Sequence, residues 1–342
     1  VLGPVVDARG RPLQDLRLSV TDRCNLRCAY CMPEEDYVGL PRADVLDVDE
    51  LTRLVEAFVA AGVSKVRLTG GEPLLRRDLP DLVARIAALD GITDLALTTN
   101  GTLLGDAASA LRAAGLHRVS VSLDTLRPER HHQLTRRDNH GAVLAGIAAA
   151  GDAGFTGTKI NAVVVRGVND DEVADLLRFG ATHRAEVRFI EYMDVDGATG
   201  WDPRHVVTRS EVLDLITERL GPVRPLPAPP SAPARRYRLG DGTSFGIVAS
   251  TSAPFCATCD RSRVTADGRW YRCLYATHGD DLRGALRRGA TGGELRDRIV
   301  AGWSGRRDQG AVDRLALGDA RAATPVEVTR RDPHREMHTR GG

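Results

Sequence analysis

The residues best suited to chemistry are six cysteines in two groups of three. Cys24, Cys28 and Cys31 share the stretch CNLRCAYC. A structural zinc site is closed by four ligands, and no further His or Cys stands near this first group. The polar neighbours Arg23, Asn25 and Arg27 argue against three thiols buried as plain core. A [4Fe–4S] cluster held by three thiolates leaves one iron open, which is what a catalytic metal site keeps. Cys256, Cys259 and Cys273 repeat the pattern at the far end of the chain, spaced x2 and x13. A zinc ribbon or knuckle would ask for a second Cys pair where only Cys273 stands, so a second open [4Fe–4S] cluster is the more consistent reading. A disulfide framework is disfavoured by the length of the chain, the lack of a secretion signal and the ligand-like spacing.

Cations form the second chemical theme. Arg17, Arg67, Lys159 and Arg188 each interrupt an otherwise apolar strand-like run. A charge there is costly unless paired. Their neighbours alternate as core residues, so all four are expected to point into a lumen, where a triphosphate would neutralise several at once. The alternative for any one of them is a surface-facing charge. The chain writes 45 Arg against 2 Lys, Lys65 and Lys159. Lys159 therefore reads as a position that a guanidinium does not fill.

The elements that must hold these residues alternate. Strand-like runs at 14–20, 65–73, 94–101, 118–124, 158–165 and 186–193 are separated by helical patterns, the first opened by a capping box at Asp47 and Glu50. About six such alternations imply parallel strands with crossover helices, a partial barrel of α/β class. In such barrels chemistry sits at the C-terminal ends of strands. Polar residues cluster there: the first thiols, Gly70-Gly71-Glu72-Pro73, Thr98-Thr99-Asn100, Ser122 to Asp124, and Glu191 to Met193. A helix is expected over 209–220. The proline-rich run 221–234 reads as a stiff linker. Two Asp-Gly hairpins and short helices near 281–288 and 292–303 follow. The division is a barrel at 14–220, a linker at 221–234 and a C-terminal extension at 235–342.

With 342 residues, 42% hydrophobic and 27% charged, the composition is that of a globular protein. A net charge of +1 gives no global pull toward nucleic acid or an anionic membrane. No run reaches the roughly 18 apolar residues of a membrane span, and the first residues carry no secretory signal. A cytoplasmic protein without nucleic-acid or membrane partners is the expectation.

The C-x3-C-x2-C spacing with Tyr30 before the last Cys, followed by GGEP after a strand, resembles the radical S-adenosylmethionine (SAM) enzymes. Taken together, LRLSVTDRCNLRCAYC, KVRLTGGEPLLRRDL, LTTNG, VSVSLD, RFIEYM, FCATCDRSRVTADG and the terminal Gly341-Gly342 closely resemble the GTP 3′,8-cyclases of molybdenum-cofactor biosynthesis. The likeness runs through nearly the whole chain except 221–234. It implies a partial (β/α)6 radical SAM barrel with a C-terminal extension carrying the second cluster. It also implies a 5′-deoxyadenosyl radical that takes the ribose 3′ hydrogen of GTP before the 3′ carbon attacks C8. SAM contacts are implied for Tyr30, Gly71, Ser122 and Met193. GTP contacts are implied for Arg17, Arg67, Thr98, Lys159, Arg261, Ser262 and Arg263. Arg188 is a phosphate or radical-site candidate, and Gly341 and Gly342 are expected to enter the active-site channel. A flavodoxin- or ferredoxin-like electron donor and coupling to the cyclic pyranopterin monophosphate synthase follow from the same likeness, and a homodimer is left open. Two alternatives are a peptide-maturing radical SAM enzyme, which would carry more C-terminal cysteines, and a metal-stabilised binding protein, which the cation-bearing strands disfavour.

Overall fold

A computed structural model describes residues 5–32, 36–195, 200–323, 325, 328 and 332–340. Six strands and their crossover helices come first. These are β1 (Asp15–Ser19), α1 (Val48–Ala60), β2 (Lys65–Thr69), α2 (Leu79–Ala87), β3 (Asp94–Thr99), α3 (Leu104–Ala113), β4 (Arg118–Ser122), α4 (Pro128–Thr135), α5 (His140–Asp152), β5 (Lys159–Val164), α6 (Val173–Thr182) and β6 (Glu186–Glu191). Then come α7 (Arg209–Leu220), β7 (Val223–Leu226), β8 (Arg235–Leu239), β9 (Ser244–Val248), β10 (Arg261–Val264), β11 (Arg269–Tyr271), β12 (Asp280–Asp281), α8 (Leu282–Arg287), α9 (Gly292–Ser304) and α10 (Gly310–Leu315).

All twelve strands among the described residues belong to one sheet, ordered β12-β11-β10-β1-β2-β3-β4-β5-β6-β9-β8-β7. β1 to β6 are parallel neighbours, as the alternating pattern requires. The C-terminal region adds one parallel strand at each side, β10 on β1 and β9 on β6. The segment 249–260, which joins β9 to β10, therefore crosses the open seam of the barrel, and it carries Cys256 and Cys259.

Period-two alternation sorts each strand. Leu16, Leu18, Val66, Leu68, Leu95, Leu97, Val119, Val121, Ile160, Val187 and Phe189 face outward and are almost wholly buried under the helices. Their partners on α1, Leu51, Leu54, Val55 and Phe58, are fully buried. The α1 capping box forms as expected: Glu50 N donates to Asp47, and Asp47 N donates to Glu50. The other face of the strands carries the polar residues into the lumen.

Several elements differ from the sequence reading. Val223–Leu226 of the proline-rich run is an edge strand paired antiparallel with β8. Pro225 is tolerated there because an edge strand needs no donor on its outer side. α4 has little apolar periodicity, but Pro128 opens it, and its last carbonyls, Leu134 and Thr135, accept from Ala29 N and Arg27 N of the first cysteine loop. A tertiary partner thus ends this helix where local sequence does not. Among the described residues no helix is long and apolar enough to cross a membrane.

Candidate active site

The first cysteine loop is held by main-chain bonds. Gly71 N donates to Thr21 O at 2.8 Å, and Glu72 N donates to Arg23 O at 2.7 Å. A Cβ on Gly71 would lie 2.2 Å from Arg23 O, and one on Gly70, at φ +146°, 2.3 Å from Thr21 O. The two glycines therefore let the GGEP turn lie against the cysteine loop itself. Glu72 is fully buried and accepts from Leu74 N, Asn100 N and Thr99 Oγ1. Burial raises its carboxyl to about 7. Asn100 continues the link, donating to Asn25 Oδ1 at 2.7 Å.

Cys24, Cys28 and Cys31 line a cavity of about 190 Å³ with Tyr30, Gly71, Asn100, Ser122, Asp124, Met193 and His338. Every residue expected to contact SAM thus opens on the cavity that holds the first thiols. Tyr30 donates its hydroxyl to Asp124 Oδ2, and Asp124 Oδ1 accepts from Val163 N. Burial raises the thiols of Cys24, Cys28 and Cys31, and raises Asp124 to about 6.

A larger cavity of about 330 Å³ adjoins it, lined by Cys256, Cys259 and Cys273 and by Arg17, Arg67, Thr98, Arg188, Arg261 and Arg263. Thr98, Asn161, Ile190, Met193 and Met337 line both cavities, so the two are successive parts of one lumen. Sequence reasoning missed Asp15, Lys65, Asp94, Arg118, Arg272, Arg306 and Asp308 on this wall. The signal for Asp15 and Lys65 was present, since each precedes a chosen arginine by two residues on the same face. Pro229, Ser231, Ala232 and Pro233 also line it, and no sequence signal marked them.

Two of the cations are neutralised by carboxylates. Arg118 binds Asp94 through two nitrogens, with Nε 2.8 Å from Oδ1. Arg188 Nε and Arg236 Nε donate to Glu186 at 3.2 and 2.8 Å. Burial would raise both acids, yet these arginines hold them below the ordinary range. On the other side of the lumen the cations crowd. Burial and then Arg263, Arg261 and Arg67 depress Arg17, and burial followed by Arg261 brings Arg263 to about 10. Arg67 donates to Thr98 Oγ1 and Ser120 Oγ, both at 3.3 Å.

Two of the expected contacts have side chains placed away from the cavity wall. Ser262 turns its side chain to the outer face and accepts a hydrogen bond there from Trp270 Nε1. Alternation along β10 sends only the side chains of Arg261 and Arg263 inward. Lys159 does not line the cavity. It is buried one pleat nearer the N-terminal end of β5 than Asn161, with Nζ 3.4 Å from Gly157 O. Burial and then Arg188, Arg118 and Arg67 lower it to about 7. Gly341 and Gly342 lie outside the described residues, but the chain just before them is anchored. Arg340 is buried, donates to the carbonyls of His334, Leu274 and Ala276, and sits over the Tyr271 ring. Arg263 donates to Arg340 O, and Ser19 Oγ to Thr339 O.

All six cysteines are free thiols. Among the described residues no three His, Cys, Asp or Glu side chains converge on a single-ion site. Each thiol group instead surrounds part of a cavity. Cys259 is brought down to about 7, because Arg261 and Arg306 outweigh the effect of burial. At each end of the lumen three half-buried thiols open on a cavity, with no fourth Cys ligand beside them among the described residues, and this suits a cluster with one open iron.

Residues 18–180 match the Radical SAM superfamily, and residues 185–312 match Molybdenum Cofactor Synthesis C. The crystal structure of Streptococcus suis SuiB bound to S-adenosylmethionine shares the fold, with a TM-score of 0.57 at 18% identity over 84% of this chain and 68% of that one. The barrel and its cysteine loop are thus those of a radical SAM protein. GTP 3′,8-cyclase 1 of Mycobacterium tuberculosis is 54% identical over 342 residues, covering 99% of this chain and 95% of that protein. GTP 3′,8-cyclase of Xanthomonas campestris pv. campestris is 48% identical over 331 residues, 95% and 96% of the two chains. The chain belongs to the GTP 3′,8-cyclase family.

Gly71→Ala is expected to destabilise the chain by about 3 kcal/mol, since the new methyl group collides with a main-chain carbonyl that cannot yield cheaply. Urea unfolding measures this. Mass spectrometry of the alkylated chain should find Cys24, Cys28 and Cys31 reacting faster, with Cys256, Cys259 and Cys273 unaltered.

Proposed function

We propose that this protein converts GTP into its 3′,8-cyclised dihydroguanosine triphosphate in the first step of molybdenum-cofactor biosynthesis. The observation that carries the reading is the single lumen with two thiol-bearing cavities, one holding the expected SAM residues and the other ringed with cations. Cys24, Cys28 and Cys31 would hold a [4Fe–4S] cluster, and Tyr30, Gly71, Ser122 and Met193 would hold SAM beside it. When bound, cluster and SAM supply the one-electron chemistry that opens the reaction at the ribose. Cys256, Cys259 and Cys273 would hold a second [4Fe–4S] cluster facing the base.

The chain's own residues then bind and orient. Arg17, Arg67, Arg261 and Arg263 supply forked donors for the triphosphate, with Thr98 at the junction of the cavities. Lys159 supports them from beneath. Arg188, already paired with Glu186, is better suited to steering the ribose than to binding phosphate. Thr98, Asn161, Ile190, Met193 and Met337 surround the passage between the two cavities. Gly341 and Gly342 follow the Arg340 anchor, and we assign them to the channel beside bound substrate. A flavodoxin- or ferredoxin-like electron donor, delivery of product to the cyclic pyranopterin monophosphate synthase, and a cytoplasmic setting complete the reading. A homodimer is compatible with it.

Anaerobic reconstitution with iron and sulfide, followed by SAM cleavage with and without GTP, tests the assignment. Cyclised product is expected only with both substrates. Replacing Cys24, Cys28 and Cys31 together by Ala should leave about half the iron and abolish SAM cleavage. Zinc in place of iron after anaerobic preparation would sink the proposal.

Lys159 gives a pH test. Its ammonium is half lost at about pH 7 in the free protein, and phosphate nearby favours the charged form. GTP binding should then take up a proton, so affinity falls as pH rises above 7. Lys159→Arg keeps its charge across this range. It should flatten that slope while weakening binding or turnover through its different geometry. Isothermal calorimetry in buffers of different ionisation enthalpy reads the proton uptake, and none in the wild type would remove Lys159 from the site.

Deleting Gly341 and Gly342 should leave iron content, GTP affinity and SAM cleavage nearly unchanged while cyclised product falls about tenfold, or about 1.4 kcal/mol of transition-state stabilisation. Product formed per 5′-deoxyadenosine released is the measurement, and an unchanged ratio would mean a dispensable end.

A further inference from the structure

The segment before β1 does something that the barrel does not need. Residues 5–13 form a tight turn: Val6 and Pro12 bridge, Gly10 sits at φ +76°, and Gly10 N donates to Asp7 O. The Asp7 side chain is fully buried and closes the turn, accepting from Arg9 N, Arg11 N and Arg11 Nε. The Arg11 side chain is 1% exposed and reaches across the molecule. Its Nη1 donates to Cys256 O and to Asp308 O, both at 2.9 Å. Its Nη2 is buried with no hydrogen-bond partner among the described residues.

A second buried cation completes the arrangement. The Arg306 side chain is also 1% exposed and donates Nη1 to Cys259 O at 2.9 Å. It lies 3.9 Å from Asp7 Oδ2 and stacks over the Trp303 ring, whose Nε1 donates to Arg11 O. The main-chain carbonyls of both cysteines in the Cys256–Cys259 turn are thus each held by a guanidinium, and two carboxylates balance the pair, Asp7 on Arg11 and Asp308 with an oxygen 3.1 Å from Arg306 Nε. Burying two guanidinium groups costs several kcal/mol per ion unless the geometry is well satisfied. A neutral donor would have served a turn that only had to pack. Two guanidinium groups held against the carbonyls of this turn place cations beside the thiols, and a cation there favours a negatively charged group bound to them. The first thiols have a different setting, in which Asp124, Glu336 and Glu72 are the nearby carboxylates and Arg27 the nearby cation.

We propose that the Asp7–Arg11 turn, with Arg306, is the positioning element of the second thiol set. It fixes the Cys256–Cys259 turn across the barrel seam and sets the electrostatic environment of the group held there. The proposal rests on the reading that these thiols carry a cluster, but its positional half does not require the cluster to be present.

The test uses the full chain with Arg11→Met, Arg11→Lys, Asp7→Asn and Arg306→Met. In iron-free protein, alkylation followed by mass spectrometry should show Cys256 and Cys259 reacting at least tenfold faster in Arg11→Met, with Cys24, Cys28 and Cys31 unchanged. Arg11→Lys should recover part of the protection, because it restores the charge without the fork. After anaerobic reconstitution, the midpoint potential of the second cluster, followed by electron paramagnetic resonance, should move to a more negative value in Arg306→Met while that of the first stays in place. Unchanged alkylation, or equal acceleration at all six thiols, would overturn the positioning role. An unchanged potential in Arg306→Met would overturn the electrostatic one. If wild-type protein takes up iron only at Cys24, Cys28 and Cys31, the second-cluster reading fails, and the alkylation ratio still decides the positional claim.

Discussion

Arg263, Arg17 and Arg67 stand side by side across three neighbouring strands, brought into register by the pairings of β10 with β1 and β1 with β2. Like charges facing one another across strands are destabilising, and burial makes the repulsion stronger. Most of the remaining architecture can be understood as what makes this placement tolerable. The outer faces of the same strands are packed with Leu, Val and Ile under five or more helices, so register is fixed by apolar burial. Asp94 and Glu186 neutralise Arg118 and Arg188 across the lumen, while Arg263, Arg17 and Arg67 cluster on the β10, β1 and β2 side. Cations held in place by the sheet register need little reorganisation to meet an anion in the lumen.

The same lumen joins the two thiol sets. Met193 ends a motif on β6 and Met337 belongs to the C-terminal segment, yet both line both cavities. Glu191, two residues before Met193, is buried and accepts from Arg209 N, Thr251 N, Ser252 N and Ser252 Oγ. One carboxylate therefore fastens the strand end at the first cavity, the start of α7 and the segment leading to Cys256. Arg321 and Arg314 converge in a similar way on Asp194. These bonds join parts of the chain far apart in sequence and keep the cavities at a fixed separation.

The barrel was legible because its signal is local: alternating strands, amphipathic helices and glycine turns appear in order along the chain. The six thiols were legible because their spacing is unusual for any other purpose. What escaped depended on tertiary partners. α4 is ended by carbonyl acceptance from the cysteine loop, and Val223–Leu226 is a strand only because β8 lies beside it. The outward turn of the Ser262 side chain was not legible because a motif was read as a block, whereas a strand divides neighbouring side chains between two faces. The resemblance implied a SAM contact for Gly71, whereas the backbone that both GGEP glycines admit is that of the cysteine loop. Asp7 and Arg11 gave no warning, since a charged turn before the first strand looks like ordinary solvated chain.

The pairing of β1 with β10 has a consequence for how the molecule comes into being. Of the described strands β1 is made first, and its partner on one side, β10, is made only after nine of the twelve exist. Until then β1 is an open edge, with unpaired main-chain groups next to the first cysteine loop. A nascent half-barrel can already gather β1 to β6, but its lumen stands open to solvent along that side. Closure of the seam and completion of the second thiol set are therefore one late event, which brings the last-made strands to the first.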